Sequence, residues 1–215
     1  NLTIPNTKLK PEKSINYEMG SNVILKYIDL DFATYYTSVF NLMTKKATTL
    51  NGATSIVFNG NKLNLVSLQN SGTANLYGFF TAVRLKFNNQ LNWRTTTTFT
   101  KGVYKNSDDM VGHIPPFYGK SSLTYKLRKL KLSVYTRFNG RKKWEEFNEL
   151  TDNPDQAIEG FGTPAWATLN VSVFVYLYSG LKFQVAGENI LDAHYKTFAS
   201  AISCARKKYN YLYLF

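Results

Sequence analysis

The chain has 215 residues, a formal net charge of +12 and one cysteine, Cys204. This length is enough for one domain with a sizeable core or for a wall of strands. Aromatic residues make up 15% of the chain, yet the absence of any run of about 18 apolar residues excludes transmembrane helices. A single cysteine excludes an intramolecular disulfide. Lys and Arg are scattered through the chain rather than gathered in a stripe, which disfavours nucleic-acid binding and favours contact with anionic lipid headgroups.

The first third of the chain is predicted to contain two strands and a polar excursion. A strand over Ser14–Gly20 is expected to turn at Ser21-Asn22-Val23, and a long strand follows from Leu25 to about Phe40. In the long strand, apolar and aromatic side chains alternate with Asp29 and Asp31. The excursion over Thr44–Ser71 is predicted to carry its own hairpin through Ser55–Phe58.

Two hairpins are predicted in the middle of the chain. The first joins strands Thr73–Phe87 and Leu91–Val103 through Asn88-Asn89-Gln90. The second joins Phe117–Leu127 and Leu130–Phe138 through Arg128-Lys129.

The last fifty residues have the clearest pattern. Leu169, Val171, Val173, Val175 and Leu177 alternate with polar residues, which is the period of a half-buried strand. After a break at Tyr178-Ser179-Gly180, a second strand begins at Leu181. The chain ends with an aromatic residue at every second position, and we interpret this ladder as a membrane-insertion signature whose members are Tyr209, Tyr211, Tyr213 and Phe215.

Short and long connections alternate along these strands. The short turns are at Asn22, Asn89, Arg128 and Ser179, and the long connections are Thr44–Ser71, Tyr104–Pro116, Gly140–Gly162 and Leu191–Ala205. Short periplasmic turns and long extracellular loops are typical of bacterial outer-membrane barrels. The pattern predicts an all-β fold, the wall of an antiparallel transmembrane β-barrel with about nine or ten strands. A soluble carbohydrate-binding β-sandwich is the alternative, but we do not expect such a fold to alternate short and long connections along the whole chain.

Six motifs are spread along the chain: LKPEKSINYEMG at Leu9–Gly20, YGFFTAVRLKF at Tyr77–Phe87, TKGVYKN at Thr100–Asn106, HIPPFYGKSSLTYK at His113–Lys126, GTPAWATLNV at Gly162–Val171 and GENILDAHYKTFASAIS at Gly187–Ser203. With these motifs the chain resembles the C-terminal half of a TonB-dependent outer-membrane receptor of the Bacteroidetes type. The last motif is the most specific, and together the motifs run nearly the full length of the chain. One departure is that Cys204-Ala205 precede Arg206, where the family usually has a Pro-Gly pair.

The resemblance implies a plugged barrel of about 22 strands that imports a scarce solute, such as a ferric siderophore, haem, cobalamin or another nutrient. It implies that residues 1–215 are the C-terminal portion of the barrel, without the plug domain, the TonB box and the first barrel half. The implied partners are the missing barrel half and plug, TonB through the plug, the nutrient chelate, and outer-membrane lipid and lipopolysaccharide. About ten strands cannot close so large a ring, so a fragment, a gene remnant and a split subunit all remain open.

Charged residues at alternate strand positions are predicted to face the barrel lumen and its plug. They are Asp29, Asp31, Arg84, Lys86, Lys131, Arg137, Lys182 and Glu188. A second group opens the long Gly140–Gly162 loop and is expected to contact an anionic or aromatic ligand outside the cell, or lipopolysaccharide phosphates. Its members are Arg141, Lys142, Lys143 and Trp144.

No catalytic, cofactor-binding or metal-binding residue is predicted. His113 and His194 lie far apart and lack convergent partners, and we expect both to be hydrogen-bonded locally. Asp152 is expected to be a solvated loop acid, and Trp93 and Trp166 to be anchors at the membrane interface. An outer-membrane barrel enzyme would need a Ser–His or Asp–His constellation at the outer rim, and the sequence does not offer a convincing one.

Overall fold

The computed structural model describes residues 1–70, 72–105, 110–148, 152, 157–177 and 181–198, and the backbone of 178 and 209–214. This part of the chain contains thirteen strands and one short 3-10 helix. The strands are β1 (Leu2–Ile4), β2 (Lys13–Ile24), β3 (Ile28–Phe40), β4 (Met43–Ala47), β5 (Ser55–Phe58), β6 (Asn61–Asn70), β7 (Thr73–Lys86), β8 (Leu91–Tyr104), β9 (Tyr118–Leu127), β10 (Leu130–Asn139), β11 (Trp166–Tyr178), β12 (Leu181–Glu188) and β13 (Tyr209–Leu214). The 3-10 helix spans Trp144–Glu146.

Nine strands form one antiparallel sheet in the order β13-β12-β11-β10-β9-β8-β7-β3-β2. Apart from the insertion between β3 and β7, each strand pairs with its neighbour in the chain, as in an up-and-down barrel wall. β7 and β8 have 14 residues each, and about 9 to 11 tilted residues are enough to cross a bilayer. The predicted antiparallel wall of about nine or ten strands is confirmed, and no helix among the described residues is long and apolar enough to span a membrane.

The register divides the wall into a polar face and an apolar face, because cross-strand partners point to the same side. The polar face carries the even-numbered positions of β2, β7, β8, β9, β11 and β12 and the odd-numbered positions of β3 and β10. The other positions form the apolar face, where Tyr17, Met19, Leu123 and Val185 are all exposed. A single-layer sheet that exposes a continuous apolar face in this way is suited to lipid.

The insertion between β3 and β7 forms a small second sheet. β6 pairs antiparallel with β4 and β5, and β1 pairs parallel with β6. Leu65, at 1% exposure, lies at its centre. The hairpin predicted through Ser55–Phe58 is confirmed, and it turns at Asn59-Gly60, where φ is 48° and 77°. These angles fit the primed turns of tight hairpins.

The sequence places two of the described turns correctly and one wrongly. At Asn88, the side-chain Oδ1 accepts hydrogen bonds from the backbone N–H groups of Gln90 and Leu91, which closes the predicted turn. β9 and β10 meet at the predicted Arg128-Lys129 turn, where Arg128 has a φ of 42°. The turn expected at Ser21-Asn22-Val23 is instead part of β2. Asn22 is the register partner of Asp31 in β3, and its side-chain amide donates a hydrogen bond to the Asp31 carboxylate. The chain reverses just beyond, where Leu25 N donates to Ile28 O at 2.8 Å.

Candidate functional site: the polar face and the outer loops

All eight charged residues predicted to face the lumen lie at polar-face positions. The register pairs Asp29 with Arg84 directly, and Arg137 likewise occupies the polar face of β10. The set is Asp29, Asp31, Arg84, Lys86, Lys131, Arg137, Lys182 and Glu188. The structure therefore brings them to one side of the sheet, and their contact with a lumen or plug stays a prediction.

Near the short-turn end of the polar face, Asp29 binds two cations. Arg84 Nη1 lies 3.7 Å from Asp29 Oδ2, and Lys86 Nζ forms an ion pair with Asp29 Oδ1. Asp29 is more buried than either cation. The ion pairs connect β3 to β7, and the Asp29 carboxylate neutralises part of the positive charge of Arg84 and Lys86.

Near the long-loop end, Glu188 is the acceptor of a second cluster. Tyr135 Oη donates to Glu188 Oε1 at 3.1 Å, and Arg137 Nη2 lies 3.9 Å from the same oxygen. Lys120 Nζ lies 4.2 Å from the centre of the Tyr135 ring, within the range of a cation–π contact. Lys120 was missed by the sequence analysis, because no strict alternation marks its face of β9.

The polar face also forms a concavity of about 730 Å³ across β8 to β12. Its lining includes the cations Arg94, Lys120 and Lys131 and the hydroxyl groups of Ser122 and Tyr135. Arg94 was missed because the threonine run beside it makes the period of β8 weak. The concavity therefore presents cations and hydroxyl groups together on the polar side of the wall.

Arg141, Lys143 and Trp144 lie at the surface of the outer loop that follows β10, and the loop fixes each of them. Arg141 Nη2 donates to Phe161 O at 2.9 Å, and the guanidinium lies 4.0 Å from the centre of the Phe161 ring. Lys143 N donates to Glu146 Oε2 at 2.8 Å and opens the 3-10 helix. Trp144 lies 6.3 Å from the Phe147 ring. Arg141 and Lys143 are exposed, and their ligand role stays a prediction.

Lys142 is buried, which corrects the expectation that it contacts a ligand. It is 3% exposed, and its Nζ donates to Ile114 O at 3.0 Å and to Asp152 Oδ2 at 3.3 Å. The amine also lies 4.5 Å from the centre of the Phe147 ring and 4.4 Å from that of Phe198. Burial lowers the pKa of the Lys142 amine, and the charge of Asp152 opposes that shift. Lys142 therefore binds groups of the protein itself.

Asp152 is the centre of this loop cluster and not the solvated acid that the sequence suggested. Its Oδ1 accepts from the backbone N–H of His113 at 2.6 Å, and its Oδ2 accepts from Asn148 N at 3.0 Å. The His113 ring is largely exposed, with Nδ1 3.7 Å from Asp152 Oδ1. Because these partners come from the β8–β9 and β10–β11 loops, Asp152 holds the two loops together. Within the described ranges, no group of His, Cys, Asp and Glu is arranged to hold a metal.

The two tryptophans that were expected at the membrane interface lie on opposite faces. Trp93 lies on the apolar face and donates from Nε1 to Ser121 Oγ at 2.8 Å. Trp166 lies on the polar face, where its ring is 4.5 Å from that of Tyr195. The interface role expected of Trp166 is therefore wrong, because its register turns it away from the apolar side.

At the start of the motif at Gly187–Ser203, Asn189 is 2% exposed and holds the first residues after β12 in place. Asn189 N donates to Asn170 Oδ1 at 2.9 Å, while its side chain exchanges two hydrogen bonds with the backbone of Ala193. A φ of 51° at Asn189 suits this residue type. The loop after β12 is thereby fixed to β11.

Some predicted features lie outside the described part of the structure. These are Cys204, Phe215 and the side chains of Tyr209, Tyr211 and Tyr213. The proposed insertion signature therefore stays a prediction.

Comparison with known proteins agrees with this architecture. A family model for the β-barrel of TonB-dependent receptor-like proteins matches residues 1–190. No curated protein matches the chain in sequence.

Three solved structures are similar to the chain. The FrpB iron transporter from Neisseria meningitidis (F3-3 variant) has a TM-score of 0.74 at 11% identity, over 100% of this chain and 33% of that protein. The copper transporter OprC has a TM-score of 0.72 at 12% identity, over 97% and 30%. The ferric yersiniabactin uptake receptor FyuA from Yersinia pestis has a TM-score of 0.59 at 19% identity, over 94% and 28%. The chain thus spans about a third of the length of these structures, and at such identities they show the fold alone.

The family match covers most of the chain and agrees with the antiparallel wall and its two contrasting faces. It rules out the soluble sandwich and the barrel enzyme, and it assigns the chain to the outer membrane. The chain belongs to the TonB-dependent receptor family and forms part of its β-barrel.

Proposed function

We propose that the protein containing this chain imports a scarce solute across the outer membrane, energised by TonB through a plug domain. The chain supplies C-terminal barrel strands and extracellular loops. The observation that carries this proposal is the grouping of eight predicted lumen residues on the polar face of a receptor barrel wall. Charges are costly towards lipid and useful towards a water-filled lumen or a plug.

The open wall supports a larger barrel. β2 is an edge of the sheet, and all 12 of its residues are exposed. Unpaired backbone groups at such an edge are not tolerated in a bilayer, so another strand must pair with β2. We propose that residues 1–215 form the C-terminal portion of the barrel, with a plug and the first barrel half supplied by further sequence. The eight polar-face residues then contact the plug.

The outer loops supply part of the ligand surface in this proposal. Arg141 and Lys143 are exposed beside Trp144, which suits an anionic or aromatic chelate. The similar structures are named as transporters of iron, copper and ferric yersiniabactin. These names support a metal or a metal chelate, such as a ferric siderophore, as the solute; haem and cobalamin are further candidates.

The proposal is tested first by the mass of the native polypeptide from detergent-extracted outer membranes, with peptide coverage upstream of Asn1. A much heavier polypeptide with plug and TonB-box peptides is the expected result. A native mass near 24.5 kDa would overturn active import by this polypeptide and favour a remnant or a split subunit. Disruption of the gene should then abolish growth on one supplied chelate under metal limitation while growth on free metal persists.

A further inference from the structure

A long segment in the middle of the chain carries positive charge without any acid to balance it. From Met110 to Trp144 there are nine Lys and Arg residues and no Asp or Glu. Three of these cations, Lys126, Arg128 and Lys129, are exposed at the short turn between β9 and β10. Among the described residues, no carboxylate lies within 4.0 Å of any of the three. The positive charge of this turn is therefore not neutralised within the described wall.

The backbone of the turn does not favour the two residues that form it. Arg128 has a φ of 42°, a left-handed conformation that suits Gly or Asn and disfavours a long side chain. The β5–β6 hairpin of the same protein turns on the preferred pair, Asn59-Gly60. Local departures from preferred turn chemistry are typical of functional sites. The Arg128-Lys129 pair is therefore better explained by what it binds than by folding.

The turn lies where the apolar face of the wall ends. Leu127 and Leu130 flank the turn, are direct register partners and are both exposed on the apolar face. Phospholipid headgroups lie at the level where the apolar band of a barrel ends. The two cations of the turn thus lie at headgroup level, on the side that the loop lengths assign to the periplasm.

The turn is held in place and still offers hydrogen-bond donors. Lys129 Nζ donates to Leu177 O at 3.3 Å, and Lys129 O accepts from Tyr176 N at 2.8 Å, which ties the turn to β11. The ammonium group keeps its other N–H donors. A guanidinium can bind a phosphate through two parallel hydrogen bonds, and an ammonium group beside it adds a point charge. Arg128 and Lys129 together therefore suit a phosphate group.

We propose that the β9–β10 turn binds the phosphate of an anionic phospholipid in the periplasmic leaflet of the outer membrane. Arg128 donates to the phosphodiester oxygens, Lys129 adds its ammonium group, and the acyl chains lie against Leu127 and Leu130. Lys126, on the polar face, adds positive potential without contacting the lipid. The bound lipid fixes the depth of this end of the wall in the membrane. The inference goes beyond import, because any barrel that contains this wall presents the same turn.

The test uses the full-length protein in mild detergent, mixed with equal amounts of dioleoyl-phosphatidylglycerol and dioleoyl-phosphatidylcholine. Native mass spectrometry counts the bound molecules of each lipid. The main variant, Arg128→Gly with Lys129→Asn, removes both charges and installs a pair that suits a two-residue turn with a positive φ at its first position. We therefore expect it to fold at least as well as the wild type, which heat-modifiable gel migration checks.

Two further variants separate the turn from charge in general. Lys45→Gln with Lys62→Gln removes the same charge from exposed lysines of the second sheet and is the matched control. Arg128→Lys with Lys129→Arg keeps both charges at the turn. Excess inorganic phosphate, added to the wild type with its bound lipid, tests whether a free anion occupies the same site.

The wild type should retain phosphatidylglycerol in preference to phosphatidylcholine, and the main variant should lose about tenfold of this preference, because two basic residues are removed from an anionic surface. The matched control and the charge-keeping variant should behave as the wild type. Equal retention of the two lipids by the wild type, or an equal loss in the matched control, would overturn the site. Displacement of the lipid by inorganic phosphate would replace the lipid with a free anion. Unchanged lipid retention in the main variant would also overturn the proposal and would favour an acidic periplasmic polypeptide as the ligand of the turn.

Discussion

The amine of Lys142 lies 3.3 Å from the Asp152 carboxylate, and both side chains are almost fully buried, at 4% and 3% exposure. The pair joins three outer loops, because Ile114 and His113 belong to the β8–β9 loop and Phe198 follows β12. A buried pair of this kind adds little net stability compared with apolar residues, but it fixes one arrangement of its partners. Three of the four long connections of this wall are therefore held together at this pair.

Replacing Asp152 with Asn is expected to loosen the three loops. The change leaves the Lys142 charge buried without its counter-charge, which typically costs roughly 3–5 kcal/mol. The β strands should remain intact, since none of them contributes to the pair. Hydrogen exchange should show lost protection in 110–117 and 141–148 and unchanged protection in β9 and β10. His113→Asn is the control, because it keeps the backbone donor to Asp152 and removes only the largely exposed ring; a comparable loss there would contradict the central role of Asp152.

The stability of the loop unit should rise at alkaline pH. Burial lowers the pKa of Lys142 in the folded state below its ordinary value of 10.5, so the folded protein releases this proton before the unfolded chain does. Where the unfolded state binds more protons, the free energy of unfolding increases with pH. The free energy of unfolding therefore increases between the lowered folded-state pKa of Lys142 and pH 10.5. Below that range the amine is charged in both states, and the destabilisation from burying its charge is fully present.

Urea denaturation of the detergent-solubilised protein at several alkaline pH values measures this effect, with intrinsic tryptophan fluorescence as the probe. The unfolding free energy of the wild type should rise with pH relative to that of Lys142→Met, because the variant lacks the titrating amine. Lys143→Met removes an exposed neighbouring lysine and should keep the wild-type slope. A wild-type slope no steeper than that of Lys142→Met would argue against a lowered pKa.

Gly162 should tolerate no side chain. Its φ is 89°, and an added Cβ would lie 2.0 Å from the carbonyl oxygen of Lys142, which accepts a hydrogen bond from Thr163. Gly160 offers a matched control, because its φ is 70° and nothing lies within 4 Å of an added Cβ. Gly160→Ala should cost about 1–2 kcal/mol from the backbone conformation alone, and Gly162→Ala clearly more. Equal unfolding free energies for the two variants would mean that the close approach to Lys142 is relieved without cost.

The faces of the wall could be predicted from the sequence, and the loop cluster could not. In a single sheet the parity of a position decides its face, so Arg84 and Lys131 were assigned by counting alone. Arg94 was missed because threonines on both faces of β8 hide the alternation. The turn at Asn22 was misplaced because Ser-Asn is a turn signal locally, whereas pairing with Asp31 extends the strand. The burial of Lys142 depends on residues from three separate loops, and no local pattern reports such contacts.

Accessibility labelling can establish which face of the wall meets lipid. In the full-length receptor with Cys204→Ser, Lys131→Cys and Leu132→Cys place a thiol on successive positions of β10, on the polar and apolar faces respectively. If the polar face lines an aqueous lumen, a small membrane-impermeant maleimide should label Lys131→Cys faster, and a lipid-soluble maleimide should prefer Leu132→Cys. Arg137→Cys and Phe138→Cys repeat the comparison near the long-loop end, so that a local distortion at the turn cannot mimic the result. The reverse preference at both pairs would place Asp29, Arg84, Lys182 and Glu188 towards lipid and would refute the proposed orientation of the wall.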